Sequence, residues 1–211
     1  MSRAFSEQKK ELIRKLLLEQ GYKLFSTYGL KKTNIEEIAK ATGISKGAFY
    51  SFYDSKEALF MEVIEQAENH VRQEILAAID QPEGTARARL FLVLKKAYSL
   101  FREIPILQFI TGSDYDILFR RLSAEKLQTH LANDRAFLNQ LVTTCQNAGI
   151  PIRIPPEQIV GLLYPLALSI LHEDELYQAG IRNNIDPLLE LVAAYCLGEV
   201  ELHFQSEGKL A

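Results

Sequence analysis

The stretch from Thr33 to Phe60 reads TNIEEIAKATGISKGAFYSFYDSKEALF, and it predicts two short helices joined by a glycine turn, followed by the start of a third helix. Thr33 and Glu36 have the spacing of a capping box, in which each residue satisfies a backbone N–H of the other. Gly43 follows the first short helix, at a position where a left-handed residue is least costly. This layout is that of a helix-turn-helix, whose second helix lies in the DNA major groove. An ordinary helical hairpin has the same pattern.

The second short helix is predicted from Lys46 to about Tyr53, with Ser45 as its N-cap. Polar side chains on or beside this helix are donors suited to phosphate, which favours DNA binding over a plain hairpin. They are Thr33, Lys46, Tyr50, Ser51, Tyr53 and Lys56.

Charge is distributed unevenly along the chain. Residues 1–54 hold ten Lys and Arg against six Asp and Glu, whereas residues 55–211 hold 14 against 21, within a net charge of −3. Such asymmetry indicates that the basic part meets an anion, and salt-dependent contact with DNA phosphates is the natural use.

A longer pattern makes the motif specific. After Thr33, the residues from Ile38 to Leu59 read I-A-x-x-x-G-I-S-K-G-x-x-Y-x-x-[FY]-x-S-K-E-x-L. This pattern resembles the DNA-binding domain of the TetR (tetracycline-repressor) family of bacterial transcriptional regulators, over about a quarter of the chain. The resemblance implies a homodimer that binds a palindromic operator in double-stranded DNA. It also implies that a small-molecule effector in the C-terminal domain releases the operator.

The resemblance assigns roles to single residues. Tyr50 and Lys56 match phosphate-binding positions of the family, and Gly47 lets the backbone approach DNA closely. Ala48 stands where Thr is frequent, and the His of the usual [HY]-F pair is absent, so Tyr53 is expected to replace its phosphate contact. Lys46, Ala48 and Ser51 occupy positions that tend to face base edges. The predicted DNA-binding set is Thr33, Ser45, Lys46, Gly47, Ala48, Tyr50, Ser51, Tyr53 and Lys56.

Apolar periodicity and the Gly and Pro positions predict an all-α protein of about nine helices. Residues 1–54 form the predicted three-helix DNA-binding domain, and residues 55–211 form a ligand-binding and dimerisation domain. The first helix is predicted over residues 7–28, ending at Gly29, and a long one over residues 55–80. Further helices are expected at 85–102, near 109, at 114–121, 123–148, 157–171 and 186–203.

The region 85–148 combines short apolar pieces with longer helices, and we expect the ligand there, in an apolar pocket with a few polar groups. Aromatics at helical spacing are also typical of a core, so about half of the candidates are expected to be core only. The candidates are Phe91, Tyr98, Phe101, Phe109, Tyr115, Phe119, Phe137 and Tyr164. Asp114 and Asp116 suit either a cationic ligand or helix capping, and Arg120 and Arg121 suit either an anionic ligand or solvated surface.

Two C-terminal helices are apolar on nearly every face, which indicates burial on every face. Since a small domain seldom achieves that alone, we expect an isologous four-helix dimer interface. The candidates are Leu163, Ala167, Ile170, Leu188, Leu189, Val192, Tyr195 and Cys196.

The sequence holds no catalytic motif, no paired-cysteine metal spacing and no cofactor motif, so we expect no enzyme, metal or cofactor. No apolar run reaches the length of a membrane span, and cytoplasmic location is expected. Cys145 and Cys196 are expected to be reduced and buried, with a redox switch as the alternative. A ligand-relieved repressor is the first hypothesis; a DNA-organising protein without a ligand is the second, and an α-helical enzyme the third.

Overall fold

The computed structural model describes residues 6–80, 83–109, 117–118, 120–172, 177–178, 180 and 185–200. Within these residues nine helices have defined bounds and no strand occurs, which confirms the all-α prediction. The helices are α1 (Glu7–Lys32), α2 (Ile35–Thr42), α3 (Lys46–Phe49), α4 (Lys56–Ile79), α5 (Ala86–Glu103), α6 (Pro105–Gln108), α7 (Ala124–Asn147), α8 (Pro156–Leu171) and α9 (Ile185–Cys196). None of these helices is long and apolar enough to cross a membrane.

Helix boundaries follow the glycine and cap signals closely. Gly29 interrupts α1 with φ 73° and ψ 176°, where the first helix was predicted to end, and one further turn of helix continues to Lys32. The prediction for α3 was too long, because the helix ends at Phe49 and residues 50–52 form turns. Of the piece predicted at 114–121, residues 117–118 and 120–121 are helical, and 114–116 lie outside the described residues.

The chain divides into two compact units, each described here by itself. The first unit comprises the described parts of Met1–Arg72 and Leu100–Asn133. Its core joins α1, α2, α3 and the first half of α4, and the rings of Phe25 and Phe60 meet edge to face with centroids 4.9 Å apart. Gly21 makes this packing possible, because a Cβ there would lie 3.2 Å from Leu59 Cδ2.

The second unit comprises the described parts of Gln73–Ser99 and Asp134–Ala211. Within this unit, Arg89 of α5 hydrogen-bonds to the C-terminal ends of two other helices. Its guanidinium donates to the carbonyl oxygen of Ala148, just after α7, at 2.7 Å and to that of Ile79, at the end of α4, at 3.0 Å. Helices α8 and α9 pack against each other. The boundary predicted at residue 54 is a division by function, and it stays a prediction.

Candidate nucleic-acid interface

Helix α2 begins one residue later than the sequence suggested. The N-cap is Asn34, whose Oδ1 accepts from the Glu37 backbone N–H at 2.9 Å, while Glu37 Oε2 accepts from the Asn34 N–H at 3.4 Å. The capping box is therefore Asn34–Glu37, and the predicted Thr33–Glu36 pairing was wrong. Asn is among the strongest N-cap residues and has Glu three positions later, so the sequence contained the correct signal.

Thr33 instead completes the end of α1. Its hydroxyl donates to the Gly29 carbonyl at 2.7 Å, and the residue is only 1% exposed. A hydroxyl that is buried and committed to a carbonyl has no surface to offer a phosphate. Thr33 therefore positions the joint between α1 and α2, and in the free protein its hydroxyl is not available to a phosphate.

The turn between α2 and α3 is built on Gly43, as predicted. Its backbone is left-handed, with φ 76° and ψ 27°, and its N–H donates to the carbonyls of Ala39 and Lys40. The Ile44 N–H also donates to Ala39 O, at 2.9 Å. These bonds satisfy the last carbonyls of α2, and the chain then reverses into α3.

Helix α3 has one buried face and one open face. Ser45 caps it, because its Oγ accepts from the Ala48 N–H at 3.1 Å. Phe49 is fully buried, and its ring lies edge to face with Tyr50, with centroids 5.7 Å apart. Within the predicted DNA-binding set, Ala48 and Lys56 are half-buried, and the exposed residues are Ser45, Lys46, Gly47, Tyr50 and Ser51. This open face is what a recognition helix needs in order to reach base edges and phosphates.

Lys46 forms an ion pair with Glu36 of α2 in the free protein. The hydrogen bond from Lys46 holds the pKa of Glu36 below its ordinary value, and the same bond raises the pKa of Lys46. Both side chains are exposed, so water and salt screen the pair. A DNA phosphate or guanine can therefore replace Glu36 as the partner of Lys46 at low cost. The sequence analysis considered Glu36 only as a capping residue, and the structure places it instead beside Lys46 at the candidate interface.

Tyr53 points inward rather than toward DNA. It is 6% exposed, its ring lies beside Phe49 with centroids 5.9 Å apart, and the Arg14 guanidinium lies 5.6 Å from the ring centroid. Burial is the largest cause that raises the pKa of its hydroxyl. Tyr53, which was expected to contact a phosphate, lies instead in the core of the free protein, because α3 ends at Phe49 and the following turns carry residue 53 inward.

Lys56 and the cap before it join α4 to the rest of the motif. Ser55 Oγ accepts from the Ala58 N–H at 3.1 Å, which selects Ser55 over Asp54 as the cap. Lys56 Nζ donates to the carbonyl oxygens of Leu30 at 2.6 Å and Thr33 at 2.7 Å. The ammonium thus ties the first turn of α4 to the joint between α1 and α2. It brings positive charge to this surface without being a free side chain.

Six of the eight expected ligand-binding aromatics lie among the described residues, and they divide between the two units. Phe101 and Phe109 pack against the core of the first unit, whereas Phe91, Tyr98, Phe137 and Tyr164 belong to the second. Tyr115 and Phe119 lie outside the described residues. A cavity of about 20 Å³ in the second unit lies between Leu90, Leu94, Cys145 and Cys196, and none of the six candidates that the structure describes lines it.

The predicted dimer residues divide into inward and outward groups. Leu189 and Cys196 are fully buried within one chain, and Ile170 nearly so, so they offer little surface to a partner. Leu188 is exposed; Leu163, Ala167, Val192 and Tyr195 are half-buried. The sequence analysis missed two exposed apolar positions, Val160 on α8 and Leu191 on α9, the latter 58% exposed. Tyr164, expected at the ligand, is also 48% exposed on α8.

Comparison with known proteins agrees with this geometry. The family model described as bacterial regulatory proteins, tetR family, matches residues 17–63. The HTH-type transcriptional regulator YuxN of Bacillus subtilis (strain 168) is 48% identical over 50 residues, which are 24% of this chain and 17% of YuxN. The nucleoid occlusion factor SlmA of Haemophilus ducreyi is 34% identical over 145 residues, covering 58% of this chain and 71% of SlmA. The chain spans less than half the length of several curated relatives, YuxN among them.

The fold extends the likeness beyond the motif. The regulator FadR of Bacillus subtilis, solved in complex with stearoyl-CoA, superposes with a TM-score of 0.61 at 16% identity, over 89% of this chain and 99% of FadR. An identity this low supports the fold alone. The helix-turn-helix with its open α3 face, the family match and the shared all-α fold agree, and the chain therefore belongs to the TetR family of bacterial transcriptional regulators.

Proposed function

We propose that this TetR-family regulator is a repressor that binds a palindromic operator as a homodimer and is released by a small molecule in its C-terminal domain. The open face of α3 is the observation that carries the proposal: Lys46, Tyr50 and Ser51 are exposed there, while Phe49 anchors the helix from behind. Lys46 is suited to guanine O6 and N7, and the Tyr50 hydroxyl to a phosphate oxygen. Gly47 allows the backbone of α3 to lie close to the DNA.

The homodimer rests on an apolar surface of α8 and α9. Val160, Tyr164, Leu188 and Leu191 are large, apolar or aromatic, and exposed in the single chain. Exposed apolar side chains on two packed helices favour an interaction site, and an isologous pairing of these two helices from each chain would cover them. Two recognition helices must then stand about 34–36 Å apart to read successive major grooves on one face of the DNA.

The proposed effector acts by changing that separation. A ligand that binds the DNA-released conformation more tightly shifts the equilibrium away from the DNA-binding conformation. To change the ratio of released to DNA-binding protein from 1:99 to 99:1, the ligand must prefer the released conformation by about 5.5 kcal/mol. The fold neighbour FadR was solved with stearoyl-CoA, so long-chain acyl-CoA is a rational first compound to test.

Footprinting on the DNA that flanks the protein's own gene tests the proposal. A homodimer predicts a two-fold-symmetric footprint and a dimeric mass in sedimentation. Leu191→Glu should abolish both, because it places a charge in the apolar interface. Leu92→Glu is the matched control, since Leu92 is 51% exposed on α5 and should tolerate the charge. A monomeric protein that leaves the same symmetric footprint would contradict the dimer.

A second function is favoured by one relative. SlmA is named a nucleoid occlusion factor, and it shares 34% identity over 145 residues with this chain. A DNA-organising protein would bind many sites along the chromosome and would respond to no small molecule. A chromosome-wide binding map separates the two: a few sites beside genes support the repressor, and many dispersed sites support the organising protein.

A further inference from the structure

A basic cavity lies in the first unit, where the end of α1 and the start of α4 meet Ile117, Arg120 and Arg121. Its volume is about 390 Å³, and four basic side chains line it: Lys31, Lys56, Arg120 and Arg121. Glu57 is the acidic residue in its lining. The sequence left two roles open for Arg120 and Arg121, an anionic ligand or solvated surface, and the cavity allows a choice between them.

Most of this positive charge has no carboxylate beside it. Glu57 is 5% exposed and is held by Arg121, whose Nη1 lies 3.2 Å from Glu57 Oε1. Lys56 is bound by backbone carbonyls, which carry no net charge. Among the residues that the structure describes, neither Lys31 nor Arg120 has an ion-pair partner. The cavity therefore concentrates cations that repel one another, and a bound anion relieves that repulsion.

We propose that this cavity is a phosphate site, in which the Arg120 guanidinium and the Lys31 ammonium bind the phosphate oxygens. A concave surface lined by one sign of charge focuses the field and raises the local concentration of the opposite ion. The planar fork of arginine matches two phosphate oxygens at once, and lysine adds a point charge. The volume lies within the range of about 300–1,000 Å³ that is typical of ligand pockets.

Two sources can supply the phosphate. One is the DNA backbone beside the helix-turn-helix, in which case Arg120 adds a contact beyond the predicted motif residues. The other is a free phosphorylated small molecule. The first source rests on the proposed DNA binding, and the second does not.

Arg120→Gln is the test variant, because Arg120 has no carboxylate to leave unpaired, whereas loss of Arg121 would strand the buried Glu57. Arg135→Gln is the matched control, since Arg135 is an exposed arginine of the second unit. Two quantities are measured for each protein. The first is the slope of log K against log salt for duplex DNA. The second is the thermal unfolding midpoint in increasing inorganic pyrophosphate, with sodium chloride at equal ionic strength to correct for screening.

If DNA supplies the phosphate, Arg120→Gln reduces the magnitude of the salt slope by about 0.9, and pyrophosphate gives no saturable stabilisation. If a free phosphorylated molecule supplies the phosphate, pyrophosphate raises the thermal unfolding midpoint of the wild type saturably. Arg120→Gln then loses that rise, and its salt slope of DNA binding equals that of the wild type. Arg135→Gln behaves as wild type in both cases. A wild-type protein that binds its operator while Arg120→Gln alters neither quantity overturns the phosphate site alone. A wild type without specific DNA binding overturns the proposed function, and the pyrophosphate titration then decides the site.

Discussion

Replacing Gly47 by alanine should make the protein more stable and a poorer DNA binder. In the free protein an added Cβ has open space, because its nearest neighbour is Ser45 Oγ at 3.9 Å. Glycine within a helix costs about 0.5–1 kcal/mol relative to alanine, so Gly47→Ala should raise the free energy of unfolding by up to about 1 kcal/mol. In the proposed complex, the same methyl group would lie where the backbone of α3 is expected to approach the duplex. We expect operator affinity to fall by about tenfold or more, equal to about 1.4 kcal/mol.

Urea denaturation measures the stability, and fluorescence anisotropy with labelled duplex at fixed salt measures the affinity. Gly43→Ala is the contrasting variant from the same motif. A Cβ at Gly43 meets nothing within 4 Å, but φ is +76°, so alanine there should destabilise by about 1 kcal/mol. A Gly47→Ala protein that is more stable yet binds the operator as tightly as wild type would refute the close approach of α3 to DNA.

Three further predictions concern side chains that the structure buries. Thr33→Val should lower the free energy of unfolding by about 1 kcal/mol in urea and leave the salt slope of DNA binding unchanged, because the buried hydroxyl bonds a carbonyl rather than a phosphate. Leu59→Ala should cost about 3–5 kcal/mol in the same assay, since Leu59 is fully buried in the core of the first unit. Burial raises the pKa of Cys145 to about 11 and of Cys196 to about 12, from 9.0, so the folded state keeps both protons longer than the unfolded state. Stability should therefore fall as pH rises from about 9 through 11, and Cys145→Ala should flatten that decline by up to about 1.4 kcal/mol per pH unit.

The motif was predictable because its local signals are strong. Gly43, Ser45 and Ser55 perform the capping and turn roles that their residue types indicate. The errors came where a tertiary contact decided between two local options. Thr33 and Asn34 are both good N-cap residues, but the Thr33 hydroxyl donates to the Gly29 carbonyl, so Asn34 caps α2.

Side-chain direction beyond the motif was harder to predict. Periodicity places aromatics on one face of a helix, but it does not say whether that face meets another helix, a cavity or solvent. Phe101 therefore proved to pack against the first core, and Tyr164 proved to be exposed. Likewise Leu188 and Leu189 are adjacent and equally apolar, yet only Leu189 turns inward.

The most direct test of DNA recognition by α3 is the salt-dependent affinity of the wild type for DNA flanking its gene, beside Lys46→Gln and Tyr50→Phe. Tyr50→Phe keeps the ring that packs on Phe49 and removes only the hydroxyl, and Tyr177→Phe is a matched control at another exposed tyrosine. We predict tight, sequence-specific binding by the wild type and the control. The Tyr50 variant should bind more weakly on every sequence, and the Lys46 variant should lose discrimination between sequences. Equal binding by all four proteins, on any DNA, would contradict recognition through α3.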